Sequence, residues 1–188
     1  KRLGWQMLHD PQLQGQIVFP ASPRVVIELA DRLDQPDALQ RLRRQALTFD
    51  DRQAVNWLLK GEAKVVVLPL QRCLSLLRRD PRMEVILPNQ GAPLHWTLLA
   101  RPKDTKEPLP QQWVELAWRE PMRRRLLQEG WRAPLPTAVL DVDRLQLPER
   151  WRSLVLPPND LWSRCWSLPP LSPEQRINLE QRWLASAP

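Results

Sequence analysis

Apolar positions along this chain alternate between strand-like and helix-like spacing, and proline marks most of the joints. Gln16-Ile17-Val18-Phe19-Pro20 is a short apolar run suited to a buried strand, closed by Pro20. Ser22-Pro23 then predicts a helix start, with Ser as N-cap and Pro in the first turn. Val26, Leu29, Ala30 and Leu33 share one face of that helix. Asp34-Gln35-Pro36 restarts a helix through about Ala46, with Leu39, Leu42 and Ala46 facing inward. Asp50 or Asp51 caps a further helix, which carries Ala54, Val55, Leu58 and Leu59 and stops at Gly61. Lys64-Val65-Val66-Val67-Leu68 is apolar on both faces, as a central strand of a parallel or mixed sheet is.

The second half reads less regularly. A helix fits Leu70–Arg79, and strands are predicted at Met83–Leu87 and Leu94–Arg101, with a turn between them. Gln111–Arg119 and Met122–Glu129 read as helices parted by Pro121 and closed by Gly130. From Trp131 to Leu171 the chain is rich in Pro and Trp without a clear period, which predicts extended segments and turns. Ser172-Pro173-Glu174-Gln175 opens a last helix through about Ala185. Strands alternating with helices place the chain in the α/β class.

Composition changes this picture only modestly. The chain has 188 residues, the length of one domain or a domain and part of another, and no apolar run long enough to span a membrane. The opening Lys1-Arg2-Leu3-Gly4-Trp5 has neither Met nor an apolar h-region, so the expectation is a chain that begins mid-protein. The net charge of +7 is spread evenly: residues 1–100 hold 14 basic and 10 acidic side chains, and 101–188 hold 14 and 11. A nucleic-acid footprint is clustered, so none is expected here. The one dense cluster, Arg123-Arg124-Arg125, reads as a solvated helix face. Cys73 and Cys165 form no CxxC pattern, and both a long-range disulfide and two buried thiols stay open. Most of the ten Trp are expected to pack in the core or at its rim.

The search for reaction chemistry is negative. There is no Gly-rich phosphate loop, no HExxH and no GxSxG among only five glycines. His9 falls in a polar loop, and His95 has no acid close in sequence to orient it. Asp50/Asp51 and Asp141/Asp143 lie where capping and turn chemistry use carboxylates. The chain is therefore expected to be no enzyme, with no metal and no cofactor. Polar His95-Trp96-Thr97 at the head of an otherwise apolar strand is the unusual feature. His95 and Thr97 share one face and Trp96 takes the other, where core packing is favoured over ligand stacking.

Several stretches, in order, resemble the periplasmic solute-binding proteins of ABC importers in the spermidine/putrescine group. They are Gly4-Trp5 with Leu8, Asp10-Pro11 and Leu13-Gln14-Gly15-Gln16-Ile17; Ser22-Pro23-Arg24; Thr48-Phe49-Asp50 with Ala54-Val55; and Leu59-Lys60-Gly61-Glu62-Ala63. Pro88 to Pro102-Lys103, Trp113-Val114-Glu115-Leu116, Glu120-Pro121, Gly130-Trp131 and the closing helix continue the series. None of these is specific alone; their order and spacing carry the likeness. It implies a two-lobed periplasmic-binding-protein-like fold, with a mixed central sheet flanked by helices and a crevice between the lobes. Residues 1–96 would form most of the second lobe, 97–145 a return segment of the first, and 146–188 a C-terminal segment packing back on the second. The first part of the mature protein, with its signal peptide or lipid anchor, would lie outside this chain. A periplasmic monomer that delivers a small solute to a membrane permease is implied.

The same likeness implies ligand-binding positions, and here the residues depart from the group. Ser22 and Val25 stand where acids are expected, and Leu68-Pro69 where a Trp is expected. His95 and Thr97 stand in place of a Trp and an Asp, and only Trp131 keeps the aromatic character of its position. With the carboxylates gone, a polyamine's ammonium groups would be buried without partners. The implied site is Ser22, Arg24, Pro69, His95, Thr97 and Trp131, re-tuned to a neutral or anionic solute. A docking or scaffold role for the same fold remains the alternative, with a basic nucleic-acid-binding domain behind it.

Overall fold

The computed structural model describes residues 4–108 and 110–188; Lys1, Arg2 and Leu3 of the opening segment lie outside the described residues. In chain order the main elements begin with β1 (Ile17–Phe19), α1 (Pro23–Asp31), α2 (Ala38–Gln45), β2 (Ala46–Phe49), α3 (Ala54–Leu59), β3 (Val65–Val66) and α4 (Leu70–Arg79). They continue with β4 (Pro93–Leu94), α5 (Gln111–Trp118), α6 (Met122–Gln128), α7 (Thr137–Asp141), α8 (Glu149–Val155), α9 (Asn159–Trp162), β5 (Trp166–Ser167) and α10 (Pro173–Ala185). The class is mixed α/β with small sheets. Two compact units emerge, one of residues up to Leu68 with Leu87–Pro93 and Arg164–Pro188, the other of Pro69–Ile86 with Leu94–Ser163.

The first unit is a small layered α/β body. Its sheet has the order β2-β1-β3, and both pairings are parallel. The resemblance implies a mixed sheet; no antiparallel strand joins this one among the described residues. Successive side chains of β1 point to opposite faces. Ile17 and Phe19 accordingly pack with Val26, Leu29 and Leu42 of α1 and α2, while Val18 packs with Ala54 and Ala63 around α3. All three β1 residues are buried, the state that a strand covered on both faces requires.

Helix α10 starts at Ser172 with a complete capping box, Ser172 Oγ accepting from the Gln175 N–H and the Gln175 side chain from the Ser172 N–H. Arg43 of α2 reaches the other end of α10. Its guanidinium donates to the Trp183 carbonyl and to Ser186 Oγ, and lies 4.1 Å from the Trp183 ring centre. Arg182 of α10 pairs with Asp31 at 2.5 and 3.2 Å.

The second unit is helical. Leu74 and Leu77 of α4, Leu127 of α6, Leu140 of α7 and Trp151 and Val155 of α8 form its core. Asp143 is its most buried charge, 1% exposed, and accepts from Arg123 Nε at 2.7 Å; Arg124 Nε lies 3.5 Å away. Two arginines of the cluster expected to be solvated are therefore spent on one carboxylate, and only Arg125 is exposed. Asp143 does more than turn chemistry. Asp141 pairs with Arg144 at 2.6 Å.

Other expectations fail for stated reasons. Residues 131–171 are not irregular: Pro136, Pro148 and Pro158 stand at the N-cap positions of α7, α8 and α9. Helices of five, seven and four residues are too short to show a helical period. The helix expected to run to Ala46 ends at Gln45, because Ala46–Phe49 pairs with β1 instead. Gln53, not an aspartate, is the N-cap of α3, and Leu59 on that helix is 53% exposed. No strand forms at Met83–Leu87, and the strand expected at Leu94–Arg101 is reduced to Leu94, which with Pro93 pairs with β5. Trp96, expected in the core, is 54% exposed.

His9 does not sit in a loop; it ends a 3-10 turn over Trp5–His9. Its Nε2 is buried with no hydrogen-bond partner, and burial, then the charge of Arg41, lowers its pKa from 6.5. The folded state thus binds fewer protons than the unfolded chain just below pH 6.5. Stability contributed by neutral His9 is present above that pH and is lost as pH falls through the lowered folded value. Urea titrations from pH 7.5 down to 5.5 should show this decline, and His9→Gln should flatten it. A decline as steep in the variant as in the parent would assign the effect to other groups.

Candidate functional site

In open parallel sheets, ligands bind outside the carboxyl ends of the strands, where neighbouring connections leave in opposite directions. The order β2-β1-β3 creates that reversal between β1 and β3 in the first unit. The edge there is assembled from the ends of the three strands. Phe19 at the end of β1 accepts from the Asp50 N–H at 3.0 Å, and the Val67 N–H donates to the Val18 carbonyl at 3.0 Å. Asp51 Oδ2 accepts from the Ala21 N–H at 3.2 Å and so braces the loop that leads to Ser22. Asp50 Oδ1 accepts from the N–H groups of Arg52 and Gln53 at 2.7 and 3.0 Å, closing the turn before α3.

Ser22 is exposed at the N-cap of α1, and its hydroxyl makes no capping bond. Arg24, in the first turn of the same helix, is half-buried and its guanidinium donates to the Pro169 carbonyl. That bond braces the chain leading to α10, and Arg24 Nε is left buried without a hydrogen-bond acceptor. The structure therefore brings Ser22 and Arg24 together at one strand-to-helix junction, with Asp50 and Asp51 on the adjacent one. Asp50 and Asp51, expected from sequence in capping and turn chemistry, reach this edge through the parallel pairing of β1 with β2. A hydroxyl, a guanidinium and two carboxylates can hydrogen-bond a polar solute of either sign.

The other four implied residues belong to the second unit. Pro69 is the N-cap of α4, and its carbonyl accepts from the Arg72 and Cys73 N–H groups at 3.0 and 3.2 Å. His95 and Thr97 are exposed, in a stretch without regular structure. Trp131 is half-buried behind Gly130, its N–H donating to the Leu126 carbonyl at 2.8 Å. Burial pushes the Cys73 thiol up to about 11, which makes it a poor nucleophile.

Two depressions are found elsewhere. One, of about 560 Å3, is lined by Arg78, Glu129, Leu147 and Trp151, and Arg78 is held there by both Glu129 oxygens at 2.9 Å. The other, of about 390 Å3, is lined by Asp31, Asp34, Asp37 and Arg182. Neither is lined by any of the six residues implied from sequence. Among the described residues no three His, Cys, Asp or Glu side chains gather in a metal-binding arrangement.

Arginine has a consistent structural use in both units. Arg150 donates to the Leu77 carbonyl at 2.7 Å, Arg144 to Leu156 at 2.9 Å and Arg152 to Leu147 at 3.0 Å. Arg32 lies 3.6 Å from the Trp166 ring centre and Arg132 3.9 Å from that of Trp162. In a chain with few glycines and many prolines, guanidinium groups satisfy carbonyls that regular structure leaves unmatched. No family model, curated protein or solved structure matches this chain.

Proposed function

We propose that this chain is part of an extracytoplasmic solute-binding component of an ABC importer, built mainly from the second lobe of a periplasmic-binding-type fold. A neutral or anionic small solute is held at the carboxyl edge of the β2-β1-β3 sheet, and a membrane permease receives it. The observation that carries this reading is the parallel sheet with its reversal between β1 and β3, because Ser22 and Arg24 stand at that edge. Ser22 donates or accepts one hydrogen bond, and Arg24 supplies the fork geometry suited to carboxylate or phosphate-like groups. Pro69, His95, Thr97 and Trp131 enter the proposal on the resemblance alone. A periplasmic location belongs to the same proposal.

A thermal-shift screen of the chain against polyamines, amino acids, sugars and inorganic anions tests it. Binding to the native state alone stabilises by about 2.7 kcal/mol when ligand is a hundredfold above Kd. A neutral or anionic solute should raise Tm by several degrees, and Arg24→Ala with Ser22→Ala should remove the shift. If nothing in the panel shifts Tm, or only polyamines do, the reading fails.

A further inference from the structure

Arg24 is a half-buried cation that pairs with no carboxylate among the described residues. Arg32, Arg123 and Arg182, by contrast, pair with Glu28, Asp143 and Asp31. Arg24 Nη2 donates to the Pro169 carbonyl, and Nε is buried with no acceptor. Nε and Nη2 are the parallel donors along one side of a guanidinium, spaced for the two oxygens of a carboxylate. One neutral carbonyl therefore fills half of that fork and leaves the other donor buried and unmet, which costs stability.

The acceptor belongs to a segment that little else holds. Leu168-Pro169-Pro170-Leu171 links β5 to α10 without regular structure. Pro169 and Pro170 are exposed and carry no N–H. From Pro169 to Leu171 the Arg24 bond is the only hydrogen bond among the described residues. Both flanks are fixed: Trp166 packs against the core of the layered unit beside Arg32, and Ser172 caps α10. The four residues form a strap with anchored ends, tied at its middle by one side chain. Arg43 also keeps a buried Nε without an acceptor, but its other bonds go to the end of α10 and the Trp183 ring covers it.

We propose that Arg24 is the latch of this strap, and that the solute of this site is an anion that releases it. A carboxylate or phosphate-like group offers charged oxygens to Nε and Nη2 together, in place of the single Pro169 carbonyl. Bidentate pairing of this kind adds both strength and geometric selectivity. A neutral solute only exchanges one uncharged oxygen for another, and the ammonium groups of a polyamine are repelled by the guanidinium. Asp50 and Asp51 are engaged by the main-chain N–H groups of Arg52, Gln53 and Ala21. The latch rests on the solute reading of this edge and narrows it to anions.

Nitrogen-15 NMR of the full chain reads both sides of the latch: the Arg24 Nε–H signal, assigned by its loss in Arg24→Lys, and the Leu171 amide. Succinate and inorganic phosphate are the probes, with glucose and putrescine as comparisons and chloride holding the ionic strength constant. At least one of the two anions should move the Arg24 signal and mobilise Leu171, seen as a fall in its heteronuclear NOE. Glucose and putrescine should do neither. Arg24→Lys keeps the charge without the fork, so it should loosen Leu171 with no solute present. It should also weaken anion binding by about tenfold or more, the loss of one charged hydrogen bond. An Arg24 signal unmoved by both anions, a Leu171 amide that stays rigid while that signal moves, or one equally rigid in Arg24→Lys would overturn the latch. A neutral solute that raises Tm without moving the Arg24 signal overturns the latch and leaves the solute reading standing. Anion release of Leu171 with no Tm gain from any solute keeps the latch and removes the solute reading.

Discussion

Asp143→Ala should lower the stability of the helical unit by about 3–5 kcal/mol, the loss typical of a buried ion pair deprived of one partner. The carboxylate is 1% exposed, and the Arg123 side chain that holds it at 2.7 Å is 13% exposed. Removing Asp143 leaves a guanidinium in a site that solvent barely reaches, with Arg124 Nε also buried nearby. The penalty comes from the stranded charge more than from the lost attraction. Asp141→Ala is the matched control. Its pair with Arg144 is partly exposed on both sides, and exposed pairs are worth about 0–1 kcal/mol. Urea unfolding followed by circular dichroism separates the two variants. A loss below about 1 kcal/mol for Asp143→Ala would mean that solvent enters the site and relieves the stranded guanidinium. Double replacement of Arg123 and Asp143 by apolar residues should recover much of the loss, because no charge is then left alone.

The Asp143 site also illustrates where sequence reading stops. A carboxylate two residues from another, in a loop rich in Pro and Leu, looks the same on the page whether it faces water or a buried arginine. The difference lies in Arg123, twenty residues earlier, and no periodicity links the two. The same holds for Arg43 with Trp183, Arg24 with Pro169 and Arg150 with Leu77. Local signals transferred well where one element determines its own state. Ser172 with Gln175, Pro23 after Ser22, and Ile17-Val18-Phe19 all formed the predicted element.

Signals failed where a neighbour decides. Ala46 continues the spacing of Leu39 and Leu42, so the run reads as helix. It becomes strand only because β1 lies beside it and Phe19 receives the Asp50 N–H. Leu94–Arg101 fails in the opposite direction, since the strand pattern is present but among the described residues only Leu94 joins a ladder. For the candidate site, the Ser-Pro helix start placed Ser22 and Arg24 at the head of α1, while a binding role for them is implied by the resemblance alone. Asp51, which braces their loop, was not, because its partner Ala21 lies thirty residues away.

Gly91→Ala should destabilise the layered unit by about 2–5 kcal/mol, combining a left-handed backbone cost of about 1–2 with an overpacking cost of about 1–3. Gly91 has φ +83, and a Cβ built there would lie 2.3 Å from the Arg164 carbonyl oxygen and 2.7 Å from the Cys165 nitrogen. Both are main-chain atoms, so no side chain can swing aside. The segment cannot retreat cheaply either. The Gly91 N–H closes a turn onto the Pro88 carbonyl at 3.0 Å, and its own carbonyl accepts from Trp5 Nε1 at 2.9 Å. Trp5 belongs to the core that includes Phe19 and Leu42, so displacement at residue 91 disturbs packing around β1. Gly15 provides the internal reference, with φ +68 and nothing within 4 Å of its virtual Cβ. Gly15→Ala should carry the backbone cost alone, about 1–2 kcal/mol. The difference between the two variants in chemical denaturation measures the steric share. Equal losses would mean that the chain from Leu87 to Pro93 shifts away from Arg164 without strain, and that the Trp5 hydrogen bond does not anchor it.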